Sequence, residues 1–174
     1  MNLHMPQDEE SEAELKNLAA VPYQIISPAN NQSIIGIFQD SLLGAFRFTR
    51  KGIQFDPRTA MNLLMSLQTI NESLFNNTDS KISNFQILSQ IMPPLTLKYK
   101  IEKLFGENED YNTSNAVLEI RDGTFIRGQL EKGTLGSGTN GLIHRICNDF
   151  GNMRSAKFID CLLYTSPSPR DQRG

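Results

Sequence analysis

Residues 117–130 carry the strongest local instruction in the chain. Residues 117–121 and 124–130 are rich in β-branched and apolar side chains, and Asp122-Gly123 stands between them. That dipeptide suits a two-residue type I′ turn, whose two central residues both need positive φ. The run therefore predicts an antiparallel hairpin, and an antiparallel hairpin leaves no room here for a parallel βαβ crossover. Whatever follows must leave from a hairpin base. The next residues are the glycine-rich 133–141, and 142–159 then resumes a helical pattern through Leu142, Ile143, Ile146 and Phe150.

Elsewhere the punctuation is clear and the elements are short. Asp8, Glu9 and Glu10 place negative charge at the electropositive start of a helix over 9–20, which Pro22 ends. Residues 23–27 and 34–38 flank turn-forming 28–32 and predict a second hairpin. Residues 41–48 lean to helix. Asp56-Pro57 supplies an N-cap and a first-turn proline for a helix over 58–70, whose stripe Met61, Leu64, Met65 and Leu67 is expected in the core. Residues 85–92 read as a helix stopped by Pro93-Pro94. Residues 71–83 and 98–114 read as exposed loops, the second with an apolar anchor at Leu104-Phe105. The opening residues 1–6 alternate apolar and polar like the end of a half-buried strand. The fold class expected is α+β.

With Lys+Arg 17 against Asp+Glu 19, the chain lacks the basic excess of a self-sufficient nucleic-acid binder, so any such contact must be local. Cys147 and Cys161 have neither the spacing for zinc nor the number for a disulfide framework, which suits a reducing compartment. No leader and no apolar run near the ~20 residues of a membrane span is visible. The sequons Asn31-Gln32-Ser33 and Asn76-Asn77-Thr78 are then expected to stay unmodified.

The sharpest chemical motif is Gly136-Ser137-Gly138-Thr139-Asn140-Gly141, which fits G-x-G-x-x-G ahead of a helix. A dinucleotide fingerprint needs a parallel βαβ unit, and the Asp-Gly hairpin argues against one. The glycines are expected to serve positive-φ turns and close packing of Leu142 and Ile143. His4 and His144 have no ligand cluster around them, and Cys147 reads as buried and inert. The acidic run Asp8 to Glu14 reads as a solvated helix start, and Lys98, Lys100 and Lys103 around Tyr99 as a solubilising run able to touch phosphate. No nucleophile, base and orienting residue can be assembled.

A resemblance enters through ordered motifs. Met1-Asn2-Leu3-His4-Met5-Pro6-Gln7 resembles the MN-[LM]-H-x-P-Q stretch that follows the NADFDGD loop in the largest subunit of multisubunit DNA-directed RNA polymerases. Ala20-Val21-Pro22, Gln24-Ile25-Ile26-Ser27-Pro28 and Gly36-Ile37-Phe38-Gln39-Asp40 are similar to that family's AVP-x-Q-[IL]-[IV]-SP and GI-x-QD. Glu131-Lys132, Thr134-Leu135-Gly136 and Asn140-Gly141-Leu142-Ile143-His144 are similar to its EK-x-[TV]-[LV]-G and GGLIH. Gly133 departs from the pattern, standing where the family has a second lysine. Residues 71–115 match poorly. The form looks RNA polymerase II-like or of giant-virus type.

The resemblance implies a place and a set of partners. Residues 1–50 would complete the double-psi β-barrel of the active centre, and 51–160 would form a mixed pore region with the hairpin and a C-terminal helix. Lys132, Thr134, Gly136, Asn140, Gly141 and His144 would lie near RNA or nucleotide at the pore. The parent enzyme would use Mg2+, held by aspartates that this chain lacks, so the chain alone is expected to be inactive. Its partners would be the second-largest subunit and other subunits, template DNA, RNA and nucleoside triphosphates. Its location would be the nucleus, or a viral factory or virion in the host cytoplasm. The alternatives are a stand-alone α+β interaction module and a dinucleotide-binding enzyme. Residues 161–174, with Pro167 and Pro169, continue no earlier pattern and are similar to a translated sequencing adapter. They are expected to be disordered, with the natural sequence ending near Asp160.

Overall fold

The computed structural model describes residues 2–76 and 80–166. Part of the sequon at Asn76 and the tail residues 167–174 lie outside that range. Among the described residues all strand pairing is antiparallel.

The predicted hairpin is present as β6 (Val117–Arg121) and β7 (Thr124–Arg127), joined at Asp122 (φ 44°) and Gly123 (φ 74°). Both turn residues take the positive φ that type I′ demands. A third strand, β5 (Leu97–Lys100), pairs with the other edge of β6, Tyr99 opposite Leu118. It lies in the stretch expected to be loop. Its alternation is only four residues long and half lysine, so the pattern is completed only by the partner strand. One face of this sheet, with Leu118, Ile120 and Phe125, enters the core. The other carries Lys98, Glu119, Arg121 and Arg127.

Glu119 is buried on that second face. It accepts from Arg127 Nε at 2.9 Å and pairs with Arg121 and, at 3.7 Å, with Lys98. The loop after β5 covers the pair, Ser114 O accepting from Arg127 Nη1 at 3.4 Å. A buried carboxylate with these donors is compensated for its desolvation.

Helix α4 (Asn84–Ile91) packs against β7 and opens with a capping box of Ser83 and Gln86. Phe85 stacks on Phe125 at 5.4 Å, and Ser89 Oγ accepts from Phe125 N at 2.9 Å. Just before α4, β4 (Ile82–Ser83) pairs with β3 (Gln54–Phe55). Helix α3 (Pro57–Leu63) is capped by Asp56 as expected, but it stops after two turns. Ala60 and Leu64 reach the core while Met61 and Met65 stay exposed, which corrects the expected stripe. The shortened helix turns only part of that stripe inward.

At the N-terminal end, residues 2–7 form no strand, and Leu3 and Met5 are exposed. Helix α1 (Glu9–Glu14) continues as a wider π turn through Ala19, and residues Val21–Gln24 form a 3-10 turn that takes up Tyr23 and Gln24, the first two residues of the strand expected over 23–27. The second hairpin is reduced to β1 (Ile26–Ser27) with β2 (Gln32–Ser33), so the returning strand starts within the expected turn and residues 34–38, expected as strand, form none. Proline at the second position of Val21–Gln24 suits a helical turn and cannot donate to a ladder. Helix α2 (Gln39–Phe48) follows.

Among the described residues from 132 onward are three helices, α5 (Lys132–Leu135), α6 (Leu142–Phe150) and α7 (Asn152–Thr165). Gly151, at φ 85°, splits the expected single C-terminal helix in two. Helix α7 runs on through residues 161–165, with Leu162 and Thr165 fully buried. This corrects the expected disorder for the described part of the tail. Ser155, Phe158, Leu162 and Thr165 lie on one helical stripe, so the pattern does continue past Asp160.

From Ile25 onward the elements build one core, in which Ile25, Ile37 and Phe48 join Ile87, Leu118, Leu142 and Phe158, while residues 9–24 bury no side chain. Thr49 ties distant parts of it. Its Oγ1 donates to Ala45 O at 2.9 Å and accepts from Leu130 N at 3.0 Å, and its carbonyl accepts from Asn115 Nδ2 at 3.2 Å.

Candidate functional site

The glycine loop is built between α5 and α6. Glu131 opens α5, its Oε1 accepting from Gly133 N at 2.7 Å. Ile37 N donates to Leu135 O at 2.9 Å, and a Cβ on Gly36 would stand 2.9 Å from Ser137 N. The Gly36-Ile37 segment thus lies directly against the loop, which only a residue without a Cβ permits. At Gly141 a Cβ would meet the carbonyl oxygens of Thr134 and Gly136 at 3.2 and 3.3 Å. None of Gly133, Gly136, Gly138 and Gly141 has positive φ, contrary to expectation; close backbone approach explains Gly136 and Gly141 instead.

An open cavity of about 550 Å³ lies between β5 with its following turn, the glycine loop and α6. Leu97, Tyr99 and Ile101 form its apolar side. Tyr99 donates its hydroxyl to Thr134 Oγ1 at 3.1 Å, and burial pushes the phenol pKa up. On α6, His144 is buried, its Nε2 3.3 Å from Asn31 Oδ1 and its Nδ1 3.3 Å from Asn148 Nδ2. With the Asn148 amide as donor to Nδ1, the imidazole proton belongs on Nε2, where it reaches Asn31. That bond holds the β1–β2 turn against α6.

The charge around the cavity is balanced. Lys100, Lys103 and Arg145 face Glu102, Glu131 and Asp149. Arg145 pairs with Asp149 at 3.2 Å, and Lys100 stands over the Phe105 ring at 4.2 Å. Such a lining does not select a polyanion.

The six residues expected near RNA do not converge. Asn140 and His144 line the cavity. Thr134, Gly136 and Gly141 are buried and serve packing. Lys132 is exposed on the opposite side of Glu131, at a shallower hollow of about 300 Å³ with Leu42, Leu43 and Phe46 of α2. Sequence reading missed Arg145, Asn148 and Asp149, although their spacing from His144 on one helix was the available signal. Cys147 is buried as expected, and desolvation raises its thiol pKa.

No group of three or more His, Cys, Asp or Glu side chains able to hold a metal is present among the described residues. In the acidic run, Asp8 caps α1 through Ser11 N and Glu12 pairs with Lys16. Those residues do not fit a Mg2+ site. The glycine loop follows a helical turn, beside a wholly antiparallel sheet, so the βαβ frame of a dinucleotide site is missing there.

Small antiparallel sheets packed with helices, and a glycine loop seated on a Gly-Ile segment, define a mixed module of the α+β class. The family model for RNA polymerase Rpb1, domain 3 matches residues 24–166, so the chain belongs to that family and is part of a largest subunit of DNA-directed RNA polymerase, a protein of transcription. The DNA-directed RNA polymerase III subunit RPC1 of Homo sapiens and that of Bos taurus are each 29% identical to it over 191 residues. Those alignments cover 100% of this chain and 14% of either relative. The chain thus spans about one-seventh of their length.

Proposed function

We propose that this segment completes the active-centre barrel of its polymerase with residues 1–50 and lines the nucleotide and RNA pore with residues 51–160. The supporting observation is the family match across 24–166, joined to the contact between Gly36-Ile37 and Leu135-Gly136. Two motifs about 100 residues apart, each similar to the polymerase pattern, form one seat. The parent reaction is nucleotidyl transfer, with Mg2+ held by aspartates outside this chain. The partners are the second-largest subunit, other subunits, template DNA, RNA and nucleoside triphosphates, and the location is nuclear or, for a viral source, the viral factory or virion. No helix among the described residues is long and apolar enough to cross a membrane.

Within this reading Lys132 is the phosphate-facing group, since it is exposed and makes no ion pair among the described residues. In the assembled polymerase, Lys132→Ala should slow nucleotide entry or backtracked-RNA handling by about 5-fold or less, the scale of one exposed charge contact. Folding should be unchanged. Wild-type elongation and backtrack recovery in that variant would remove Lys132 from the pore.

The polymerase class, whether II-like, giant-virus or III, and the adapter origin of residues after Asp160 belong to the same proposal. Sequencing the source DNA across both ends tests them. An open frame upstream into NADFDGD supports the polymerase reading over a stand-alone interaction module, and a stop codon there opposes it.

A further inference from the structure

We propose that the free edge of β5 takes an extended peptide segment of alternating apolar and acidic residues as a fourth strand. This goes beyond a place at the pore, because it assigns a partner chemistry to a specific sheet edge. The sheet order is β5-β6-β7, so β5 pairs on one side alone. Ile101 N donates to Ala116 O at 2.8 Å, continuing the register in which Lys100 is opposite Val117. Antiparallel alternation then turns the backbone groups of Tyr99 and Leu97 toward β6 and those of Lys98 and Lys100 outward. No backbone hydrogen bond among the described residues reaches these outward groups. An unpaired edge of this kind is a template for strand addition.

The side chains state what the added strand must look like. Leu97 and Tyr99 point to the cavity side, so alternate residues of the newcomer meet an apolar wall. Lys98 points to the opposite face, where it joins Arg121 and Arg127 around a single carboxylate, Glu119, while Lys100, next but one along the edge, stands over the Phe105 ring at the rim of the cavity. The acids of the adjoining loop are engaged within it, Glu109 by Ser114 and Asp110 by Asn112 and Thr113. Three cations against one carboxylate leave an excess of positive charge, to which Lys100 adds further along the edge, and acidic residues opposite Lys98 and Lys100 would neutralise it.

The test uses the full 174-residue chain and three capped synthetic peptides: alternating Val and Glu, alternating Val and Lys, and the Val/Glu peptide with a central proline. Anisotropy titration should show saturable binding of the Val/Glu peptide alone, and Lys100→Glu should weaken it about 5-fold while improving the Val/Lys peptide, by the scale of an opposed charge pair. Hydrogen exchange should slow at the Lys98 and Lys100 amides when the peptide is present. Equal binding of the proline peptide, indifference to Lys100→Glu, or protection of amides elsewhere would overturn the proposal. So would an absence of binding by the Val/Glu peptide. The peptide arms need no variant, so the result stands even if Lys100→Glu folds poorly.

Discussion

Arg127, only 7% exposed, has its charge answered by Glu119, and the hydrogen bond from Arg127 is the first cause that holds the Glu119 carboxyl below the usual carboxylate range. Arg121 and Lys98 add to it, and burial opposes it. Because the folded pKa is depressed, the stability this group contributes is present above its ordinary 4.5 and is lost as pH falls through the lowered folded value. Glu119→Gln should therefore lower stability at neutral pH, leaving Arg127 uncompensated, and flatten the acid limb of the stability curve. Urea midpoints from about pH 3 to about pH 7 check both effects, and an unchanged slope would refute the role. Nothing in the alternation of β6 marks Glu119 as buried, since a polar residue in a strand ordinarily faces water. Gly128 was equally unreadable: at φ 120° a Cβ there would stand 2.6 Å from Leu118 Cα, an approach set by tertiary structure. Gly128→Ala should cost about 1–3 kcal/mol of unfolding free energy in denaturant titration, the usual scale of such backbone strain. Asp122 and Gly123, by contrast, announced their conformation, because a type I′ turn is a local requirement.

The elements that were legible are those that carry their own signals. Helix α4 has its capping box and its proline stop within one short run, and Ser83→Ala should lower stability by about 1 kcal/mol, measured as a shift in the urea midpoint. Strand β5 has no such signal, since its four residues become a strand only against β6. The same reason explains the 3-10 turn at Val21–Gln24, where β-rich composition yields to the geometry around Pro22. In α7 the reading by origin overrode the periodicity, and the helix follows the periodicity. Leu162→Ala should cost about 2–5 kcal/mol, and truncation after Asp160 should be at least as damaging because Thr165 leaves with it. Equal denaturant midpoints for the intact and truncated chains would show that the last turns of α7 contribute nothing.

At the scale of the molecule the site was half legible. Ordered motifs pointed to the polymerase largest subunit, and the family match bears that out, yet no pattern along the chain could show that Lys132 and His144 stand on different sides of Glu131. Such placement depends on how α2 and β5 close around the loop. If the magnesium-binding aspartates belong to the polymerase outside this segment, as proposed, the isolated chain should not extend an RNA primer supplied with magnesium and nucleotides. Incorporation above a protein-free control, with contaminating polymerase excluded, would contradict this. The pin at Thr49 has a consequence for biosynthesis. Its amide partner, Leu130, lies 81 residues further along, which a ribosome adding about 5–20 residues per second reaches only after roughly 4 to 16 s. During that interval the Thr49 hydroxyl has only its own helix to bond, and Phe48 beside it waits for a core that α7 completes later still. The nascent N-terminal half should therefore emerge with the core face of α2 uncovered until the segment beyond Gly151 follows, an exposure that raises the hazard of aggregation.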